Sequence, residues 1–406
     1  MWGYAPGPFQ VDYEQRIDFS ALRQDIWARV RAAMERHDVD AVFLWRDEHV
    51  RYLTGLRVIM IQYRATTTYG VLYTRQGDIV LYVSSGELER VRRAMPWIHE
   101  VLPIPIMDEP GLVEDVVAKK VVPMFQRLNL EKARVAIDVM SHQQLRAYQR
   151  YLPEVEWVDG DALMQPVRMV KSPQEIALIE EATAIADAVT QAALDAVRAG
   201  VRECEVAAEA MRVLFRLGGE FAHLASPFVA SGERMAPPAR FATDKLIRNG
   251  DLVFIDIGAC WNGYFGDVGR TMICGKPSPE QKRIYRAVYE AQMAGIAAIR
   301  PGVRASQVAA AYKTAAARHG LEEHFIDLFI GHGVGAAPTE PPFVGETMPG
   351  ANDPVLEPGM VFALEPLIYV EGVRGGGGVR LEDMVLVTDD GARVLSRAPY
   401  DEQLLG

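Results

Sequence analysis

Leu252-Val253-Phe254-Ile255-Asp256-Ile257-Gly258, followed past Asn262-Gly263 by Tyr264-Phe265-Gly266-Asp267-Val268-Gly269-Arg270-Thr271, carries two aspartates eleven residues apart. The apolar run Leu252 to Ile257 predicts a buried strand, and Asn-Gly between apolar runs is a strong hairpin signal. If Asp256 and Asp267 flank a hairpin, their side chains face each other on one surface of a sheet. A carboxylate at the end of a buried strand is costly unless it is paired or binds a cation. The pair therefore reads as metal ligands.

Three further residues of ligand type follow in order. They are His332 in Gly331-His332-Gly333-Val334-Gly335, Glu365 in Ala363-Leu364-Glu365-Pro366, and Glu382 in Arg380-Leu381-Glu382-Asp383. The glycines around His332 let the backbone bend tightly and bring the imidazole to a metal. Singly, each residue has an ordinary reading: a turn aspartate, a boundary glutamate before proline, a turn histidine. Five in this order, each in a short signature, point to a metal centre. Four carboxylates and one imidazole suit two divalent first-row ions, with manganese, iron, cobalt and zinc all acceptable. Two such ions activate water and polarise a substrate oxygen. Glu365 and His332 are the catalytic candidates, with Glu365 helping to move the proton of the attacking water.

The remaining sequence bounds the class. At 406 residues the chain fits two domains. Its 49% hydrophobic and 24% charged content is that of a globular protein. With 43 basic and 54 acidic residues the net charge is −11, which disfavours nucleic acid as a partner. Three cysteines, Cys204, Cys260 and Cys274, form neither a disulfide framework nor a zinc knuckle. Met1-Trp2-Gly3-Tyr4-Ala5-Pro6 lacks the basic and apolar regions of a secretion signal, and no apolar stretch is long enough to span a membrane. A reduced, cytoplasmic setting is expected.

The first part alternates strand-like runs (Ala41 to Trp45, Gly70 to Tyr73, Ile79 to Val83, Val135 to Ile137) with helical ones (Ile26 to Met34, Leu112 to Val121, Gln143 to Tyr151). This predicts an α/β domain over residues 1–165. Ser172-Pro173-Gln174-Glu175 is a capping box with proline at the first helical position; it opens a long helix in a second domain, residues 166–406. Ser278-Pro279-Glu280-Gln281 opens another, running to about Ile299, and a third is expected over Ala305 to Ala317. With strands at Leu252 to Ile257, Val361 to Leu364 and Met384 to Val387, this second domain reads as α+β, helices on a mostly antiparallel sheet.

The five motifs and their order resemble those of the pita-bread metalloenzymes: methionine aminopeptidases, prolidases, aminopeptidase P and creatinase. The two-domain layout and the Lys171-Ser172-Pro173 helix start resemble the prolidase and creatinase branch. The resemblance implies a pita-bread catalytic domain behind a creatinase-type α/β domain, two metals and a homodimer. Asp256 would bind one metal, His332 and Glu365 the other, and Asp267 and Glu382 would bridge. Trp45 and Tyr63-Arg64-Ala65-Thr66 would reach across the dimer interface.

Two departures bear on activity. The resemblance implies histidine donors to the substrate after Ser231-Gly232 and just before Glu340, but Ala239 and Thr339 stand there. Losing one oxyanion donor costs about a hundredfold or more in rate. The pattern of intact ligands without these donors resembles the metal-dependent dimethylsulfoniopropionate lyase, as do Gly218-Gly219-Glu220 and the closing Pro399-Tyr400-Asp401. That lyase carries an aspartate where Gly258 stands here, and an acidic residue where Pro338 stands. The expected function is thus hydrolysis or elimination on a small polar non-peptide metabolite, as in this lyase or ectoine hydrolase. The alternatives are an Xaa-Pro dipeptidase or aminopeptidase that recruited other donors, and a non-catalytic binding module, against which five intact ligands count. His223, Tyr264 and Arg270 are the expected substrate-contacting residues, with Arg270 also able to orient a ligand carboxylate.

Overall fold

The computed structural model describes residues 16–57, 68–107, 109–223, 226–239, 241–326, 330–345 and 353–406. Tyr63 to Thr66 lie outside them. The chain forms two compact units that divide after Arg168.

The first unit opens with α1 (Phe19–Arg36), capped by Asp18, whose side chain accepts from the Ser20 and Ala21 N–H groups. Leu22, Ile26, Val30 and Ala33 make its buried stripe, the spacing of one helical face. Strands β1 (Ala41–Leu44), β2 (Gly70–Thr74), β3 (Ile79–Ser84), β4 (Glu100–Ile104), β5 (Arg134–Ile137) and β6 (Glu156–Asp159) form one sheet in the order β4-β3-β2-β1-β5-β6. Parallel pairing joins β3 to β4, β1 to β5 and β5 to β6, while β1–β2 and β2–β3 are antiparallel. The strand β4 was not legible because it contains Pro103, which a sheet tolerates only at an edge, and β4 is an edge. The run Leu112 to Val121 is not one regular helix. Pro110–Val116 passes through a π-helical turn, Val117–Val121, into Val122–Arg127. Pro123 has no N–H for the carbonyl four residues back and clashes with it, which the wider turn relieves. Trp45 does not reach outward: it is 1% exposed and packs on Phe43 and Tyr82, ring centroids 5.1 and 6.0 Å away. Indole burial in the core outweighs any role at an interface.

In the second unit α2 (Pro173–Ala196) starts at the expected capping box, with both reciprocal bonds between Ser172 and Glu175 present. A helix that the sequence reading passed over, α3 (Glu203–Arg216), packs on it. Strands β7 (Phe221–Ala222), β8 (Phe228–Ser231), β9 (Leu252–Asp256), β10 (Ala259–Trp261), β11 (Tyr264–Gly266) and β12 (Gly269–Ile273) form two three-stranded sheets, β11-β10-β7 and β12-β9-β8. After α4 (Pro279–Ala298) and α5 (Ala305–Ala317) come β13 (Gly331–Gly333), β14 (Glu340–Val344), β15 (Val361–Leu364), β16 (Leu367–Tyr369), β17 (Gly378–Arg380), β18 (Asp383–Val387) and β19 (Ala392–Val394). They form a five-stranded sheet, β14-β13-β15-β18-β19, and the pair β16-β17. Ile284, Val288, Val308 and Tyr312 of the two helices bury against Phe362 and Val385 of the larger sheet. The pairings described in this unit are antiparallel, as expected, but in several small sheets instead of one. The ligand-type residues Asp267, Glu365 and Glu382 stand where strands stop. Among the described residues no helix is long and apolar enough to cross a membrane.

Candidate metal centre

The Asn262-Gly263 turn forms as the sequence dictates: both residues have positive φ, 50° and 81°, the two-residue hairpin geometry that matches strand twist. It joins β10 to β11, with Trp261 opposite Tyr264. The aspartates are not the two arms of this hairpin. Asp256 ends β9, Asp267 lies between β11 and β12, and β12 pairs back on β9 with Gly269 opposite Asp256. A Cβ at Gly269 would lie 2.6 Å from Glu382 Oε2, so glycine is what lets Glu382 stand beside Asp256. The Glu382 N–H is held on Gly269 O at 2.9 Å. His332 sits within β13, opposite Ala363 of β15, and Glu365 follows β15 with its N–H on Ile330 O at 2.7 Å.

These elements bring all five expected ligands into one buried cluster, each between 1% and 4% exposed. Their donor atoms group as Asp267, His332 and Glu382, and as Asp256, Glu365 and Glu382; a third group is His223, Asp256 and Asp267, with atoms within 4.8 Å of one another in each. Asp256 Oδ1, Asp267 Oδ1 and Glu382 Oε2 are buried without a hydrogen-bond partner. Buried carboxylate oxygens in that state call for a cation or a proton, and an oxygen-rich set with one imidazole suits divalent metals. His332 adds a tautomeric argument. Its Nδ1 lies 3.0 Å from Gly333 O, which can only accept, so Nδ1 carries the proton. Nε2, 3.2 Å from Glu365 Oε1, is then the ring nitrogen left to ligate a metal.

Arg380 is a member of the centre that the sequence reading did not assign. Its Nη1 reaches Asp256 Oδ2 at 3.2 Å and its Nη2 reaches Glu365 Oε2 at 2.9 Å, with Phe254 under the guanidinium. The signal was present: Arg380 and Glu382 are two residues apart, the spacing of one strand face. Burial opposes its charge, but Glu365 and Asp256 outweigh burial and raise its pKa. Burial likewise opposes ionisation of Glu365, and Arg380 first, then the contact with His332, overcome it and hold that carboxyl below its ordinary range. Asp267 and Glu382 go the other way: burial first, then the neighbouring carboxylates, push both well above the usual range. They hold protons at pH values where a free carboxylate, with a pKa of about 4, has lost them. Metal uptake must displace those protons. Adding Mn²⁺ to metal-free protein in weakly buffered, mildly acidic solution should release protons, and apparent affinity should weaken as pH falls. A pH-stat titration that records no release would contradict this.

The three expected substrate-contacting residues fare differently. His223 stands at the cluster, Nε2 3.4 Å from Asp256 Oδ1 and 3.6 Å from Asp267 Oδ1, and burial holds its pKa below the ordinary value. The Tyr264 hydroxyl instead bonds Glu175 Oε1 at 3.2 Å, tying β11 to the start of α2. Every N–H of the Arg270 guanidinium is engaged, by Gly269 O, Glu382 O, Ala398 O and Asp383 Oδ1. Arg270 steadies the backbone of Glu382 and has no donor left for a substrate.

Comparison with known proteins agrees with this geometry. The family model for metallopeptidase family M24 matches residues 177–389, and that for the creatinase/prolidase N-terminal domain matches residues 27–170. The chain belongs to metallopeptidase family M24. It is 30% identical over 364 residues to an Xaa-Pro dipeptidase of Pyrococcus furiosus, covering 90% of this chain and 95% of that one. Among solved structures it resembles an Xaa-Pro dipeptidase from Bacillus anthracis (TM-score 0.77, 27% identity, 93% of this chain and 99% of that one). A prolidase from Pyrococcus horikoshii OT3 gives the same TM-score and coverages at 28% identity. The second unit of this M24 protein is thus the pita-bread domain, the first the creatinase-type domain, and the chain is a metal-dependent hydrolase. These relatives favour the peptidase alternative over the lyase reading. In this M24 enzyme Ala239 is partly buried against Phe228, Ala230, Met235 and Phe254, and Thr339 is exposed, so neither position supplies a ring N–H.

Proposed function

We propose that the chain is a dinuclear-metal dipeptidase that hydrolyses Xaa-Pro dipeptides. The observation that carries this reading is the 30% identity to an Xaa-Pro dipeptidase across 90% of the chain. The complete set of ligand-type residues supports it. Asp256, Asp267, His332, Glu365 and Glu382 would hold two divalent ions, which when bound supply Lewis-acid polarisation of a carbonyl and activation of water. The chain's own residues do the rest. Arg380 engages Oε2 of Glu365 and helps keep that carboxylate ionised, able to take a proton from attacking water and pass it on. Burial of the cluster excludes bulk solvent and strengthens each of these interactions.

The lyase-like reading loses support at one position. Gly258 cannot carry the aspartate that reading needs, because a Cβ there would lie 2.4 Å from Gly266 O and 2.8 Å from His223 Cβ. The test is hydrolysis of a panel of Xaa-Pro dipeptides by Mn²⁺-loaded protein, followed by mass spectrometry, with Asp267→Ala as blank. Metal-dependent release of proline is expected. Fully metal-loaded protein that leaves every dipeptide intact would overturn the peptidase reading and reopen betaines and cyclic amidines.

A further inference from the structure

We propose that His223 is a further working residue of the centre: its Nε2–H, locked in that tautomer by the backbone of Gly258, donates to a substrate oxygen beside Asp256 and Asp267 and does not ligate metal. The function of that donor rests on the hydrolytic reading above; the tautomer does not.

The lock is made of two backbone contacts. The Gly258 N–H donates to His223 Nδ1 at 2.6 Å, and the His223 N–H donates to Gly258 O at 3.2 Å. An amide N–H can only donate, so Nδ1 must be the lone-pair nitrogen, and a neutral imidazole then carries its proton on Nε2. That is the reverse of His332, whose Nδ1 faces the carbonyl of Gly333. Two histidines of one cluster are therefore set to opposite tasks, His332 as ligand and His223 as donor. A His223 ligand would need an anionic ring or a broken bond to Gly258.

The ring also has nowhere else to go. Phe228 meets it edge-on at 6.3 Å, and it fills the space in which a side chain at position 258 would begin, where an added Cβ would meet His223 Cγ at 2.9 Å. Its Nε2 lies near two carboxylate oxygens, Asp256 Oδ1 and Asp267 Oδ1, that have no hydrogen-bond partner. The separations, 3.4 and 3.6 Å, are longer than an N–H···O bond. The proton is committed to neither oxygen. A carbonyl oxygen entering between them would draw it, and a fixed dipole aimed at developing negative charge is what stabilises a tetrahedral transition state.

The test reads the proton directly. Zinc-loaded protein labelled with ¹⁵N-histidine is measured by long-range ¹H–¹⁵N correlation, and the His223 signals are assigned by their loss in His223→Gln. An Nε2–H pattern for His223 beside an Nδ1–H pattern for His332 is expected. An Nδ1–H pattern with a metal-shifted Nε2 at His223 would overturn the proposal. Metal-to-protein ratio should be unchanged in His223→Gln and His223→Ala; loss of an ion from both would make His223 a ligand and sink the idea. On Xaa-Pro dipeptides, His223→Ala should lower kcat about a hundredfold or more with little change in KM. His223→Gln should recover part of that, since its amide can accept from Gly258 and still donate, and a wild-type kcat in His223→Ala would overturn the donor role. If wild-type protein cleaves no dipeptide, the tautomer and metal content still decide His223, and only the function above fails.

Discussion

Asp267→Asn is expected to make the metal-free protein more stable and the enzyme inactive. Burial and the neighbouring Asp256 and Glu365 raise the Asp267 carboxyl well above its ordinary range. A carboxyl raised in the folded state contributes most when protonated; its contribution falls as pH rises from the unfolded value to the folded one. Near neutrality Asp267 is therefore a cost to the metal-free fold, and the uncharged, isosteric amide removes it. An amide has no proton to take up on folding, so a gain of about the 1–4 kcal/mol seen when buried ion pairs give way to uncharged residues is expected here. The same change replaces a carboxylate that takes part in two of the three donor groups. Altering even an outer-shell partner of a metal costs about 10–100-fold in affinity or activity, so the loss here should be at least the upper end. Thermal unfolding with chelator and with Mn²⁺ checks both halves, together with the metal-to-protein ratio. A variant that melts lower without metal, or keeps its full metal content, would contradict this account.

Arg380→Leu should do the opposite to the metal-free protein. Among the described residues it is the guanidinium that bridges two carboxylates of the centre, Asp256 and Glu365. Removing one partner of a buried ion pair leaves an uncompensated charge and costs about 3–5 kcal/mol. Bound divalent cation replaces the missing positive charge, so Mn²⁺ should recover much of the loss by mass action. Arg380→Lys should recover less than its charge suggests, because a point charge cannot fork between two carboxylates as the planar guanidinium does. Urea unfolding of the metal-free and Mn²⁺-loaded variants reads these differences. If Asp267→Asn and Arg380→Leu shifted the metal-free protein in the same direction, crowding of like charges would not be what governs this centre.

Much of the centre was legible from residue type and order. Asp256, Asp267, His332, Glu365 and Glu382 announce themselves because a carboxylate at the end of an apolar run demands a cation, and the capping boxes at Ser172 and Ser278 fix where long helices begin. Arg380 was legible in principle from the strand period and was passed over. For Arg270 and Tyr264 the residue type was legible but the task was not, because a donor's neighbours decide it. Only the fold shows Arg270 saturated by carbonyls and Asp383, and Tyr264 bonded to Glu175, 89 positions away in the chain.

Sequence alone determined the family-level outline: two units, a buried carboxylate cluster with one imidazole, and the turn at Asn262-Gly263, all set by local pattern and by the cost of burying charge. Tertiary structure decided which nitrogen of each histidine carries the proton. His332 and His223 are the same side chain. One faces a carbonyl one residue on, the other an amide N–H 35 positions away, and a carbonyl calls for a proton where an amide supplies one.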